Sequence, residues 1–176
     1  MLQGIIKRIF KKTKEKTKVV DALIRTYIDK GWLDEAEEAI ELGASRDAID
    51  LLIRAYIQKG GWWLYRARGL IKRLKASKGV IDFLVKTYLD NDRLSEAIEA
   101  VKEFGASQEI INSLTGAHIS IGRLYEAIEA AKLGASKKVV EFLVKICIQR
   151  KQVFLAKKAA RLIGRSLTIQ EIRELL

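Results

Sequence analysis

Two residues of this chain belong to the types that carry out nucleophilic chemistry: His118, its only histidine, and Cys147, its only cysteine. A thiol beside an imidazole can be activated as a nucleophile. Both residues, however, occupy one column that recurs at intervals of 29, 32, 30 and 29 residues, and its other members are Tyr27, Tyr56 and Tyr88. A column shared with three tyrosines favours a packed imidazole and a small core thiol over an active site.

Other signatures of catalysis are missing from the sequence. It contains no glycine-rich phosphate loop, no nucleophile elbow and no paired metal ligands. A single cysteine excludes an internal disulfide and a cysteine-cluster metal site. We therefore predict a protein that is not an enzyme and that has no cofactor, no metal ion and no small-molecule substrate.

The balance of charge indicates binding. The chain carries 33 Lys and Arg residues against 22 Asp and Glu residues, a formal net charge of +11. Basic residues are concentrated in segments 7–18, 51–81 and 132–165, whereas 34–41 contains acidic residues and no basic one. Such an excess favours polyanions, acidic proteins or anionic membrane surfaces as partners.

One segment places aromatic residues beside basic ones. It comprises Trp62, Trp63, Tyr65, Arg66, Arg68, Lys72, Arg73 and Lys75. Aromatic rings near guanidinium groups suit base stacking and phosphate neutralisation. Alternatively, one tryptophan packs in the core and the charges only solvate the helix. Adjacent tryptophans point in different directions, so we expect at least one of them to be exposed or at an interface.

These residues lie in a repeated pair of helices. The first helix of a copy has apolar residues at i, i+3, i+4, i+7 and i+8, which places one stripe on one helix face. In the first copy this predicted core stripe is Val20, Leu23, Ile24, Tyr27 and Ile28. Glycines at 31, 60 and 122 follow as helix stops, and a Gly-Ala-Ser turn, as at 43–45, ends the second helix. The turn's serine can cap the next helix.

Three sets of residues share the same relative spacing. They are Tyr27, Gly31, Leu33, Ala36 and Ile40; Tyr88, Leu94, Ala97 and Val101; and Gly122, Leu124, Ala127 and Ala131. On these positions, residues 19–165 resemble the tetratricopeptide family and, more loosely, the pentatricopeptide family. The copies are shorter than the family repeat of about 34 residues, and the chain has no proline. The resemblance implies stacked helix pairs wound into a right-handed superhelix.

We predict an all-α fold, a right-handed α-α superhelix (solenoid) of about five helix-turn-helix repeats with a capping helix at each end, in one domain overall. Repeats 1 to 5 are 19–45, 46–77, 78–107, 108–136 and 137–168. Residues 1–18 form a basic amphipathic capping helix with a mobile linker at 11–18, or a helix that lies on a membrane or a partner. Residues 169–176 form the C-terminal capping helix, which a capping box of Thr168 and Glu171 begins.

A regular basic column on the first helices has an explanation other than nucleic-acid binding. Its members are Arg25, Arg54, Lys86 and Lys145. Each follows an acidic residue by four positions, and these are Asp21, Asp50, Asp82 and Glu141. This spacing predicts surface ion pairs. Repeat 4 has Asn112 and Gly116 at the two positions.

We predict a non-catalytic binding protein that docks onto a polyanionic assembly, with structured RNA or a ribonucleoprotein such as the ribosome as first choice. The alternative is a protein–protein adaptor or scaffold that binds an acidic partner segment or self-associates. The predicted contacts are Trp62, Trp63, Tyr65, Arg66, Arg68, Lys72, Arg73, Lys75, Lys7, Arg8, Lys11, Lys12, Lys157, Lys158 and Arg161. The sequence has no apolar run of transmembrane length and no signal peptide, so we expect a soluble, cytoplasmic protein and no membrane-surface partner.

Overall fold

The computed structural model describes residues 2–175, with side chains described from residue 13 onward. This part of the chain forms eleven α-helices and no β-strand, which confirms the all-α prediction. The helices are α1 (Leu2–Asp29), α2 (Leu33–Ile40), α3 (Arg46–Lys59), α4 (Trp63–Leu74), α5 (Lys78–Asp90), α6 (Leu94–Phe104), α7 (Gln108–Ser120), α8 (Leu124–Ala131), α9 (Lys137–Gln149), α10 (Val153–Leu162) and α11 (Ile169–Leu175).

The helices divide into two compact units, residues 1–80 and 81–176. In the first unit, α1 packs against α2 and α3, and α3 packs against α4. In the second unit, α8 packs against α7, α9 and α10, and α9 also packs against α10 and α11. Within each unit, a helix therefore contacts the next helix and also the one after it, as stacked hairpins do. The single domain expected from the repeats stays a prediction.

The N-terminal helix differs from the prediction of a linker at 11–18. Helix α1 runs without a break from Leu2 to Asp29 and so includes that segment. The reason lies in the composition: between Gly4 and Gly31 the chain has neither glycine nor proline, and Lys and Glu are good helix formers. Residues 2–12 therefore lie on the same helix as the first repeat. Whether their side chains cap that repeat lies outside the described residues.

The core follows the predicted stripe. In repeat 2, Leu52, Ile53 and Tyr56 are completely buried, and the spaced alanines of the second helices, such as Ala67, are buried with them. The stripe is less complete in repeat 1, where Leu23, Tyr27 and Ile28 are only half-buried. In the described part of its unit, α1 packs mainly against α2 and α3.

The turns between repeats are held by a contact that the sequence analysis missed. In repeats 1 to 3, an aspartate Oδ1 in the first helix accepts the backbone N–H of the turn serine, as Asp21 does from Ser45 at 2.8 Å. Equivalent bonds join Asp50 to Ser77, Asp82 to Ser107 and Asn112 to Ser136. Because a neutral asparagine makes the same bond in repeat 4, the column serves mainly as a hydrogen-bond acceptor.

The predicted ion pairs are therefore wrong in at least two repeats. Among the described side chains, neither Asp21 nor Asp82 forms a salt bridge with the basic residue four positions later. In repeat 2, the guanidinium of Arg54 donates to the carbonyl of Gly79 at 3.0 Å.

The C-terminal cap confirms the prediction. The backbone N–H of Thr168 donates to Oε2 of Glu171 at 2.7 Å, and the N–H of Glu171 donates to the Thr168 hydroxyl at 3.2 Å. This reciprocal pair is a capping box. Helix α11 then packs against α9 and buries Leu175.

Candidate functional site

The aromatic segment of repeat 2 is split between core and surface. Trp63 is half-buried and stacks on the buried ring of Tyr56, with 5.4 Å between the ring centroids. Trp62 leans on Trp63 at 5.2 Å but remains 61% exposed, and Tyr65 is 79% exposed. The expectation that at least one of the adjacent tryptophans is exposed is confirmed.

The basic residues beside these rings meet acidic residues of repeat 1. Arg66 forms salt bridges with Asp34 and with Glu37, the latter at 2.9 Å. Arg73 reaches the other oxygen of Glu37 at 3.0 Å. Two carboxylates of the acidic segment 34–41 and two guanidinium groups of α4 therefore neutralise one another inside the first unit.

A buried tyrosine holds the centre of this network. The hydroxyl of Tyr56 lies 3.0 Å from two acceptors, the carbonyl oxygen of Leu33 and Oε2 of Glu37, which share its single proton. Burial, and then the hydrogen bond to Glu37, raise the pKa of Tyr56 above its usual value. The guanidinium of Arg66 lies over the Tyr56 ring at 5.4 Å, so one arginine joins the aromatic and acidic groups.

An open cavity of about 520 Å³ borders this network. Its lining comprises Asp34, Glu37, Glu38, Glu41, Arg66 and Arg73. Four carboxylates and two guanidinium groups make this surface acidic on balance, which disfavours a polyanion at this place.

The other predicted contacts of repeat 2 lie around this network. Lys72 and Lys75 are exposed and Arg68 is half-buried. Lys75 also ends α4 in a left-handed conformation, and its carbonyl accepts a hydrogen bond from Arg46. Contacts of these residues with RNA stay predictions.

The predicted N-terminal contacts are Lys7, Arg8, Lys11 and Lys12. The backbone of all four belongs to α1. Their side chains lie outside the described residues.

Helix α10 carries the second predicted basic site. Phe154, Lys157 and Arg161 are exposed at i, i+3 and i+7, which places them on one face of the helix. We call this the α10 outer face. Within the described chain, neither Lys157 nor Arg161 forms a salt bridge.

Lys158 borders this face but is engaged with repeat 4. Its ammonium group lies 3.0 Å from Oε1 of Glu129 and 4.4 Å from the centroid of the exposed Tyr125 ring. Lys132 contacts the same carboxylate oxygen at 2.7 Å. Hydrogen bonds from Lys132 and Lys158 lower the pKa of Glu129, so this carboxylate stays ionised and partly neutralises both lysines.

An exposed aromatic position shared by three repeats escaped the sequence analysis. Tyr65, Tyr125 and Phe154 each lie in the first turn of the second helix of their repeat, two residues before the alanine of the pattern. All three are more than half exposed. Alignment through the alanines would have shown that this position is aromatic in repeats 2, 4 and 5.

The two residues with catalytic potential behave as core residues. His118 is buried, and neither of its ring nitrogens has a hydrogen-bond partner among the described residues. Burial lowers the pKa of His118 and raises the pKa of the buried Cys147 to about 11. A neutral imidazole and an un-ionised thiol are the forms expected in a core.

The described residues contain neither a cluster of metal ligands nor a membrane-spanning helix. No group of three or more histidine, cysteine or acidic residues there is arranged to hold a metal ion. No described helix combines the length and hydropathy needed to span a bilayer.

Comparison with known proteins leaves the site as the main guide to function. No protein-family model matches the chain, and neither the curated proteins nor the solved structures include a match.

Proposed function

We propose that this chain is a non-catalytic helical-repeat protein that docks onto structured RNA or a ribonucleoprotein such as the ribosome. The principal contact is the α10 outer face of repeat 5, with repeat 2 in a lesser role. The right-handed superhelix, the tetratricopeptide-like relationship and the cytoplasmic location belong to this proposal and stay predictions.

The observation that carries the proposal is the uncompensated charge of repeat 5. Segment 132–165 contains Glu141 as its only acidic residue, and that carboxylate is bound to Arg165 at 2.7 Å. The cations of Lys157 and Arg161 on the α10 outer face have no such acid. Exposed cations of this kind bind phosphates, and the release of counterions from the nucleic acid drives the association.

The neighbouring aromatic rings support RNA over other polyanions. Phe154 is 72% exposed on the same face as the two cations. Tyr125 is also exposed and lies beside Lys158, which follows Phe154 by one turn of α10. Rings next to cations match the way single-stranded bases stack while their phosphates are neutralised.

A double charge reversal tests the proposal. In Lys157→Glu/Arg161→Glu, we expect weaker binding of a labelled RNA hairpin by fluorescence anisotropy, measured between about 50 and 200 mM salt. Losing two phosphate contacts lowers the log–log salt slope by roughly 1.4 to 1.8. The matched control is Lys86→Glu/Lys102→Glu, which changes the charge equally at exposed lysines of repeat 3.

Two results would count against the proposal. One is an equal loss of affinity in the control, which would mean that only net charge matters. The other is a wild-type chain that binds no RNA at low salt, which would favour the adaptor function.

The adaptor function rests on one observation of its own. Ile121, Tyr125, Val153 and Phe154 are all exposed apolar residues of the second unit. Exposed aromatic residues are typical of protein interfaces. For a protein partner with an acidic segment, nuclease treatment leaves binding intact, whereas it removes an RNA-mediated interaction.

A further inference from the structure

A cavity at the end of α10 has the chemistry of a site for a single phosphate group. It has a volume of about 250 Å³ and is lined by Lys157, Arg161, Arg165, Ser166, Leu167 and Ile172. This volume is below the range of roughly 300–1,000 Å³ that is typical of drug-sized ligands. The cavity therefore suits a phosphate with one attached group better than a large cofactor.

The three basic residues of the lining do not have equal roles. Arg165 donates to Glu141 from Nε and Nη2, to Glu171 from Nη1 and Nη2, and to the Ser166 carbonyl from Nη1. All five of its N–H donors are used in these bonds, so none remains for a ligand. Arg165 thus fixes the wall of the cavity between α9 and α11.

The free charge of the cavity comes from two other residues. Lys157 and Arg161 are spaced i and i+4 on α10, which brings their Cβ atoms about 5–6 Å apart. Neither forms a salt bridge within the described chain. Two cations that converge on one small cavity favour a dianion over a singly charged group.

A phosphate at the end of an RNA strand carries more negative charge than a phosphate in its interior. A phosphate monoester carries about −1.5 to −2 charges at pH 7, whereas each internal phosphodiester carries one. The cavity also has an apolar wall, formed by Leu167 and the partly exposed Ile172. That wall suits the sugar or the face of the base attached to a terminal phosphate.

We propose that this cavity binds the 5′-terminal phosphate of an RNA strand, with the phosphate on Lys157 and Arg161 and the first nucleoside against Leu167 and Ile172. The inference rests on the proposed function, because it assumes that RNA is the partner. It adds selectivity for a phosphorylated end to binding along the backbone.

The test compares two forms of one short RNA, with a 5′-phosphate and with a 5′-hydroxyl group. We expect wild-type protein to bind the phosphorylated form about tenfold more tightly, as one strong charge-assisted contact would give. Lys157→Ala and Arg161→Ala should each reduce this preference, and the control Lys86→Ala should keep it.

A second variant tests the apolar wall. In Ile172→Ser, we expect weaker binding of the phosphorylated RNA, because the nucleoside that the bound phosphate holds in the cavity loses its apolar wall. Ile172 is partly exposed, so the chain should still fold. Circular dichroism and the melting temperature would verify folding in each variant.

The outcomes separate this inference from the proposed function. Equal binding of both RNA forms, still weakened by Lys157→Glu/Arg161→Glu, would overturn the terminal-phosphate site and leave RNA docking intact. No binding of either form would overturn both. A preference for the phosphorylated form that survives both alanine changes would place the end-recognition site elsewhere and contradict the inference.

Discussion

Repeats 2 and 5 both look basic in the sequence, but their cations have different fates in the structure. In repeat 2, Arg66 and Arg73 meet the carboxylates of Asp34 and Glu37 in the preceding repeat. In repeat 5, the preceding repeat offers Lys158 only Glu129, which Lys132 shares. The cations of the α10 outer face form no salt bridge within the described chain.

The difference shows that a basic segment of the sequence does not always present its charge at the protein surface. A run of basic residues in a stacked repeat can neutralise an acidic run about 30 residues earlier, because the second helices of successive repeats lie side by side in such a stack. Segments 34–41 and 51–81 look like separate surfaces in the sequence, but Asp34 and Glu37 of the first are bound to Arg66 and Arg73 of the second.

The largest expected effect is on the stability of the fold, and it should differ between charge reversals in repeats 2 and 5. Arg66→Glu places a carboxylate against Asp34 and Glu37 and removes the cation over Tyr56. We expect a loss of about 2 kcal/mol in the free energy of unfolding, because the Arg66 side chain is only 29% exposed and charge-assisted bonds are lost. Urea denaturation monitored by circular dichroism would measure the change.

The matched control for this prediction is Arg161→Glu on the α10 outer face. It makes the same change of charge at an exposed site without a salt bridge, so we expect a shift within about 0.5 kcal/mol. Equal losses in the two variants would show that the salt bridges of repeat 2 do not distinguish it from repeat 5.

The second prediction compares the column residue of repeat 2 with that of repeat 4. Burial lowers the pKa of His118, so the folded state keeps a neutral imidazole while the unfolded chain takes up a proton near pH 6.5. Stability is therefore full above about pH 6.5 and falls as the pH decreases toward the lowered folded pKa. His118→Tyr restores the residue of repeat 2 and should remove this part of the acid sensitivity.

Melting temperatures between about pH 8 and pH 5 would measure the effect, which is on the order of 1 kcal/mol. Tyr56 does not contribute to this dependence, since burial raises its pKa away from this range. An unchanged pH dependence in His118→Tyr would mean that other groups cause the acid sensitivity.

The sequence predicted best the features that depend on near neighbours in the chain. The capping box joins Thr168 to Glu171, and the spacing of three residues makes it readable from the sequence. The helix stop at Gly31 is likewise local, and its backbone has φ of +76°. The bond between Glu37 and Arg66 spans 29 residues and depends on which helix faces meet. Periodicity fixes the face of each helix, but it does not say which charged residues on adjacent helices come within reach.

The last and smallest effect concerns the hydrogen bond that holds the turn after repeat 2, which has an equivalent after repeat 4. In repeat 2, Asp50 accepts the backbone N–H of Ser77 at 3.2 Å, a bond that Asn112 makes with Ser136 in repeat 4. Asp50→Asn should therefore change the free energy of unfolding by less than about 0.5 kcal/mol, because a hydrogen-bond acceptor is all the turn requires.

The equivalent residue of repeat 5 should respond differently. Glu141 binds the guanidinium of Arg165, which lowers the pKa of Glu141 and requires a charged partner. In Glu141→Gln, Arg165 keeps Glu171 but loses its other charged partner. We therefore expect a loss of about 1 kcal/mol in the free energy of unfolding, measured by urea denaturation. If Asp50→Asn costs as much as Glu141→Gln, the charge of the aspartate column matters, and the ion-pair interpretation regains its place in repeat 2. If neither change alters the free energy of unfolding, repeats 2 and 5 are held by their apolar cores alone. The contrast between these repeats is then confined to the surface charges that a partner would meet.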